Sequence, residues 1–248
     1  MSNYELYKGD CLEVMANNPC ILERANMILI DPPYGILNKK AKWDNIIDPS
    51  EMWNLINDNT KITVPTLVFC QEPYASLVIS ENIKNFKYKY YWQKTQATGF
   101  LNAKKQPLRN IEEIAVFYRK QPTYNPQMWK AEKLSHSNVR KAEVGNKTQV
   151  YGNVTKDYEY IPTYDRYPTQ LLTYKSDKQL TSLHPTQKPV PLLENLIKTF
   201  TNEGDTVLDF CMGSGSSGEA ALNCGRNFIG IEKDENYFQI CLDRLGKL

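Results

Sequence analysis

The stretch "TVLDFCMGSGSSGEAALNCGRNFIGIE", residues 206–232, decides the fold. It opens on "TVLDF", a short apolar run with the length and composition of a buried strand. The run stops at an acid and a glycine-rich turn, "CMGSGSSG", and "SSGEAALNC" reads as the opening of a helix. "NFIGIE" (227–232) is a second apolar run that ends in an acid. Strand, glycine turn, helix and strand in this order make a βαβ unit with parallel strands. Gly213, Gly215 and Gly218 match G-x-G-x-x-G, and Glu232 ends the strand that follows. Glycines let a backbone turn tightly and approach a ligand, and the acid can accept hydrogen bonds from ribose hydroxyls. The pattern points to an adenosine-type cofactor at the strand ends. NAD carries a pyrophosphate that favours a helix N-terminus. S-adenosylmethionine has no phosphate but carries a sulfonium. Asp209, just before the turn, suits a positive ligand group better than a pyrophosphate, which tilts the balance toward S-adenosylmethionine. A tight turn with no ligand is the plain structural alternative.

Working outward, "VPLLENLIKTF" (190–200) and "ENYFQICLDRL" (235–245) carry apolar residues at helical spacing. The N-terminal half repeats the alternation. Strands are expected at 4–10, 26–31 and 66–70, a helix at about 75–84, and strands at 87–94 and 113–119 near a sheet edge. Together these predict an α/β fold with a doubly wound, mostly parallel sheet of about seven strands. Residues 121–183 differ, with seven tyrosines, four prolines and little periodicity. They read as an irregular inserted region, too aromatic for a disordered linker, with most tyrosines filling a core.

The totals fit one domain of 248 residues, 41% hydrophobic and 23% charged. No run approaches the ~20 apolar residues of a membrane span, and "MSNYELYKGD" has no basic-then-apolar leader. The six cysteines are scattered, without C-x-x-C spacing or a nearby histidine, so no metal site is indicated. Reduced thiols in a cytoplasmic protein are the expectation. The net charge of +2 is unevenly spread, because residues 84–120 hold nine Lys/Arg against two Asp/Glu. Such a segment can face phosphate, or be an ordinary solvated face.

"MILIDPPYG" (27–35) carries the second signal. An apolar strand ends at Asp31, followed by Pro32, Pro33 and Tyr34. Consider an exocyclic amine, such as N6 of adenine, that must attack a methyl sulfonium. Its lone pair is conjugated into the ring. Two acceptors aimed at its N–H bonds, the Asp31 carboxylate and the Pro32 carbonyl, help it pyramidalise. The prolines fix φ and remove competing N–H donors, which preorganises the acceptors. Tyr34 can stack on the base, and Gly35 leaves room for the chain to turn. A Pro-Pro turn with Asp31 as a cap is the alternative for this segment alone.

With both segments, the chain resembles the β-class, permuted amino-methyltransferases of DNA (N6-adenine or N4-cytosine). There the D/S-P-P-Y segment lies N-terminal, a variable target-recognition region follows, and the F-x-G-x-G cofactor segment is C-terminal. Here "DPPYG" precedes the tyrosine-rich region, then "HPTQKPVPLLENLI" (184–197), then "DFCMGSGSSGEAA" (209–221). "KWDN" (42–45), "IEEIAVFYR" (111–119) and "GDCLEVM" (9–15) also resemble family segments. The resemblance spans about three-quarters of the chain.

The resemblance implies a catalytic set of Asp31, Pro32, Pro33 and Tyr34. It implies cofactor contacts from Asp10, Cys11, Asp31, Lys188, Asp209, Phe210, Met212, Gly213, Ser214, Gly215, Ser216 and Glu232, with Lys188 facing the methionine carboxylate. It implies S-adenosylmethionine as cofactor, sequence-specific double-stranded DNA as partner and, as is frequent in the family, a homodimer. One domain is expected over 1–248, with a catalytic part at 1–120, target recognition at 121–183 and a cofactor part at 184–248. A duplex base must be flipped out before its amine is reached, so the basic segment becomes a backbone contact, with Lys104, Lys105 and Arg109 as the preferred residues. Asp at the first catalytic position is more typical of adenine targets and Ser of cytosine, so adenine N6 leads and cytosine N4 follows. RNA adenine is more distant, since such enzymes more often resemble N-P-P-[YF]. An NAD oxidoreductase would explain the glycine turn but neither "DPPYG" nor "HPTQKP".

Overall fold

The computed structural model describes residues 3–35, 45–135, 140–142, 147–148, 152–153, 158–176 and 187–248. Residues 42–44 of "KWDN" and His184, Pro185 and Thr186 of "HPTQKP" lie outside them. The described chain forms two compact units, one of Met1–Asn125 with Gln170–Leu248 and one of Pro126–Thr169.

The first unit begins with β1 (Tyr4–Lys8), α1 (Cys11–Asn17), α2 (Cys20–Arg24) and β2 (Met27–Ile30). It continues with α3 (Pro49–Asn59), β3 (Thr66–Cys70), α4 (Tyr74–Ser80), β4 (Phe86–Thr98), a 3₁₀ turn (Phe100–Asn102) and β5 (Arg109–Phe117). The second unit contains β6 (Trp129–Lys130), β7 (Arg140–Ala142), β8 (Lys147–Thr148), β9 (Gly152–Asn153), β10 (Tyr158–Tyr160) and β11 (Asp165–Arg166). The chain then returns to the first unit as β12 (Leu171–Tyr174), α5 (Val190–Phe200), β13 (Thr206–Asp209), α6 (Ser216–Asn223), β14 (Asn227–Glu232) and α7 (Glu235–Leu245).

Eight strands form one sheet in the order β1-β14-β13-β2-β3-β5-β4-β12. β5 runs antiparallel to β3 and β4, and the other neighbours are parallel. β2 and β3 are buried at every residue, as a parallel strand covered on both faces must be. One strand more is present than expected. Leu171–Tyr174, inside the stretch read as irregular, pairs with β4 and forms the edge. Four residues with one buried side chain, Leu172, give too short an alternation to stand out.

The period of two in the strands sorts side chains onto two faces. Ile28, Ile30, Val68, Ala115 and Leu208 pack against residues of α1–α4. Met27, Leu29, Leu67, Phe69, Trp92, Ile114 and Val116 pack with Leu192, Leu193 and Leu196 of α5 and with residues of α6 and α7. Helices thus cover both faces, the doubly wound arrangement. Asp10, Asp48 and Asp234 cap α1, α3 and α7 by accepting backbone N–H bonds, an ordinary Asp role at a helix start.

The second unit is built of the antiparallel pairs β6–β11, β7–β10 and β8–β9. The expectation of core tyrosines fails there for the described side chains: Tyr164 and Tyr167 are 49% and 72% exposed. Strand pairs two or three residues long have too little face to bury a ring.

Candidate active site

The acidic residues expected to carry chemistry stand at strand ends. Asp209 is the last residue of β13, Glu232 the last of β14, and Asp31 follows the last residue of β2. These three parallel strands are adjacent, so the acids line one edge, outside the carboxyl ends where α/β sheets bind ligands. A cleft of about 740 Å³ opens there, within the range of small-molecule sites. It is lined by Asp10, Cys11, Asp31, Pro32, Pro33, Tyr34, Lys188, Asp209, Phe210, Met212, Gly213, Ser214, Ser216 and Glu232.

Gly215 is the one expected cofactor residue that does not line the cleft. Its φ is +76° and a Cβ would lie 2.5 Å from Cys241 Sγ, so a glycine is required there by the turn and by packing against α7. Gly218 has the packing role of the third glycine, because a Cβ would meet the Phe228 ring at 2.8 Å. Gly213 N donates to Glu232 Oε2 at 2.9 Å, and Asp234 N donates to Oε1 at 2.8 Å. The glycine turn and the acid of the next strand are therefore tied together directly. Asp10 lines the cleft, and its side chain accepts from Leu12 N, Glu13 N and Lys233 Nζ.

Asp209 is held by Ser217 Oγ, which donates to Oδ2 at 2.5 Å, and by Cys211 N, which donates to Oδ1 at 2.9 Å. Burial raises its pKa from 3.8 to about 7 against these two bonds, with Asp31 and Glu232 adding like-charge repulsion. Since the folded state holds this proton more tightly than the unfolded chain, Asp209 contributes stability that is full below pH ~4 and lost as pH rises toward ~7. Three pH units correspond to roughly 4 kcal/mol at most. Asp209→Asn is expected to flatten that decline in urea unfolding of the ligand-free protein between pH 5 and 8. An unchanged decline would assign it to other groups.

Asp31 sits at the end of a chain of alternating charges. Tyr34 Oη donates to Asp31 Oδ1 at 2.7 Å, and Lys188 Nζ donates to Oδ2 at 2.5 Å. Lys188 Nζ is also 3.5 Å from Glu112 Oε2 and 5.1 Å from the Phe69 ring centroid. Lys94 pairs with the other oxygen of Glu112. Burial raises the pKa of Asp31, the Lys188 charge opposes that, and Glu112 adds to it. For Lys188, burial acts downward, but the Asp31 and Glu112 carboxylates outweigh it and hold the ammonium above its ordinary value. For Glu112, burial acts upward, and Lys188 and Lys94 together bring it below.

The topology explains this assembly. Glu112 lies two residues before Ile114 on β5 and so belongs to the face that α5 covers. Its partner across the ladder is Trp92, two residues before Lys94. Lys188 stands just ahead of α5. Sequence reading missed Glu112 and Lys94. Their signal was parity: two carboxylates, Glu112 and Glu113, stand side by side in an apolar strand, so one of them must face each layer. Glu113 takes the other side and pairs with Lys89 at 2.7 Å.

Tyr34 lies over Tyr74, with ring centroids 5.6 Å apart and planes at 27°. Gly35 turns the chain at φ +67°, where a Cβ would strike Ile46. Lys104 and Lys105 are exposed in the connection between β4 and β5, and Arg109 opens β5 and lines the cleft. Among the described residues no group of three His, Cys, Asp or Glu is placed to hold a metal ion. None of the helices there is long and apolar enough to cross a membrane.

Comparison with known proteins follows the same lines. The N6/N4 methyltransferase family model, described as DNA methylase, matches residues 25–243. "Type II methyltransferase M2.LlaDCHI" of Lactococcus lactis subsp. cremoris is 46% identical over 79 residues, 32% of this chain and 29% of that protein. The match thus spans less than a third of that relative's length. The structure titled M1.HpyAVI-SAM complex superposes with a TM-score of 0.64 at 25% identity, covering 98% of both chains. The PvuII DNA methyltransferase (cytosine-N4-specific) shares the fold, with a TM-score of 0.68 at 17% identity over 98% of this chain and 86% of its own.

Proposed function

We propose that this chain, which belongs to the DNA methylase family, transfers a methyl group from S-adenosylmethionine to N6 of an adenine flipped out of double-stranded DNA at a specific sequence. The observation that carries this reading is the Asp31 carboxylate, placed beside the Pro-Pro step in the same cleft as Asp209 and Glu232. When bound, S-adenosylmethionine supplies a methyl group on a sulfonium. The residues present fit such a group. The acids Asp31, Asp209 and Glu232 along one edge of the cleft suit a sulfonium and ribose hydroxyls better than a pyrophosphate. Glu232 keeps lone pairs for ribose hydroxyls beyond the two backbone N–H groups it already accepts.

Asp31 accepts one N–H of the target amine, and the Pro32 carbonyl accepts the other. Drawing on both N–H bonds pulls the nitrogen lone pair out of conjugation with the ring. Pro32 and Pro33 have no N–H to compete for these acceptors. The amine becomes strongly acidic as the new N–C bond forms, so Asp31 need only hold the departing proton. Its raised pKa suits that task. The rest is positioning. Residues 121–183 are assigned to reading base edges in the target.

An aspartate at position 31 favours adenine, by the resemblance noted above. Cytosine N4 presents the same chemistry, and the fold shared with a cytosine-N4 enzyme makes it the second reading. Incubation with DNA and labelled S-adenosylmethionine, followed by nucleoside analysis, separates them. Label in N6-methyladenine supports the first and in N4-methylcytosine the second. No transfer to DNA of varied sequence would sink both.

The basic connection gives a further expectation. Neutralising Lys104, Lys105 and Arg109 together should weaken binding to all DNA sequences alike and reduce the slope of log affinity against log salt by roughly 2 to 3. An unchanged slope removes these residues from the phosphate contacts.

A further inference from the structure

Both oxygens of Asp31 are already engaged, Oδ1 by Tyr34 and Oδ2 by Lys188. A target amine adds a third donor to this carboxylate and competes with the Lys188 ammonium for the lone pairs of Oδ2. Displacing the Lys188 ammonium into a buried site with no acceptor would leave a desolvated, unpaired charge, which is strongly unfavourable. Lys188 is only 6% exposed, so water does not supply that acceptor freely.

Glu112 does. Its Oε1 is held by Lys94, while Oε2 is buried and makes no hydrogen bond among the described residues. Oε2 lies 3.5 Å from Lys188 Nζ, longer than a good hydrogen bond. A native interior seldom leaves a carboxylate oxygen in this condition without a reason. The ammonium needs to travel only about 1 Å to bond it fully, and the Phe69 ring lies alongside the ammonium.

We propose that Glu112 is a positioning residue, the second seat of the Lys188 ammonium, which moves from Asp31 Oδ2 to Glu112 Oε2 when the target amine takes Asp31. Lys188 stays charged and paired in both states, and the charges along Lys94, Glu112, Lys188 and Asp31 stay balanced. The kinetic part of this inference rests on the amine-methylation reading above. The structural part does not.

Two measurements test it. In a crystal structure of Asp31→Asn, Lys188 Nζ should stand within about 3 Å of Glu112 Oε2. An ammonium that remains on the side chain of residue 31 overturns the second seat, whatever the enzyme methylates. In steady-state transfer, Glu112→Gln should lower kcat roughly 10- to 100-fold and leave the KM for S-adenosylmethionine within about twofold. A merely structural role would show as a lower melting temperature with kcat preserved in the folded fraction, and that result, or a rise in KM alone, overturns the proposal. Wild-type transfer run in parallel reports on the methylation reading separately.

Discussion

Asp31→Ala is expected to reduce methyl transfer by at least roughly a thousandfold, the scale of losing a preorganised polar group at the reacting centre. Binding of S-adenosylmethionine, measured by calorimetry without DNA, should weaken by only a few-fold. The split follows from geometry. Apart from Asp31 itself and Lys188, the groups assigned to the cofactor are held by other partners: Glu232 is tied to Gly213, and Asp209 to Ser217 and Cys211. None of these bonds passes through Asp31. What Asp31 alone provides is a carboxylate at the end of β2, next to two residues without N–H groups. Truncation also frees Tyr34 Oη and leaves the Lys188 ammonium to Glu112. Surviving turnover would remove Asp31 from the reaction, and loss of cofactor affinity equal to the loss of turnover would make it a binding residue instead.

Much of this site was legible before the structure because its signals are local. The helix of 190–200 and the strand of 227–232 occupy the residues their patterns predict, since each is a short apolar run bounded by breakers. The acids that end β13 and β14 declare themselves by position. What stayed hidden depends on contacts across the sheet. Lys188 and Asp31 are 157 residues apart, and although the family resemblance already implies a cofactor role for Lys188, its pairing with Asp31 and Glu112 shows only once the sheet is assembled. Lys94 and Glu112 looked like part of a basic surface segment. The antiparallel register of β4 and β5 instead turns them inward, where they pair with each other. α1 and α2 were not expected because seven and five residues are too few for a helical period to show. Gly215 is also constrained by the Cys241 side chain on α7, a neighbour no local pattern reveals.

Lys188→Met should be the most destabilising single change at the site, by roughly 3–5 kcal/mol near pH 8, the range for breaking a buried pair by removing one partner. The methionine fills the space but leaves Asp31 and Glu112 facing each other with Lys94 and Tyr34 as their remaining partners. The pH dependence identifies the cause. In the wild type, Lys188 helps to hold the Glu112 pKa below its ordinary value, a contribution present above the unfolded pKa and lost in acid. Without the ammonium, the folded-state pKa of Glu112 rises above its unfolded value near 4, and that of Asp31, already raised by burial, rises further. Stability from such groups is full below the unfolded pKa and disappears as pH climbs through the folded one. Both effects have the same sign, so the deficit of the variant should be largest at pH 8 and narrow by pH 5. Adding Glu112→Gln to Lys188→Met should restore part of the loss at pH 8, because one of the two unpaired charges is gone. Urea unfolding of wild type, single and double variants at both pH values measures all of this. A deficit that is independent of pH, or a double variant less stable than Lys188→Met alone, would mean that Lys188 supports the fold through packing, and that the Asp31–Lys188–Glu112 charges do not act as one unit.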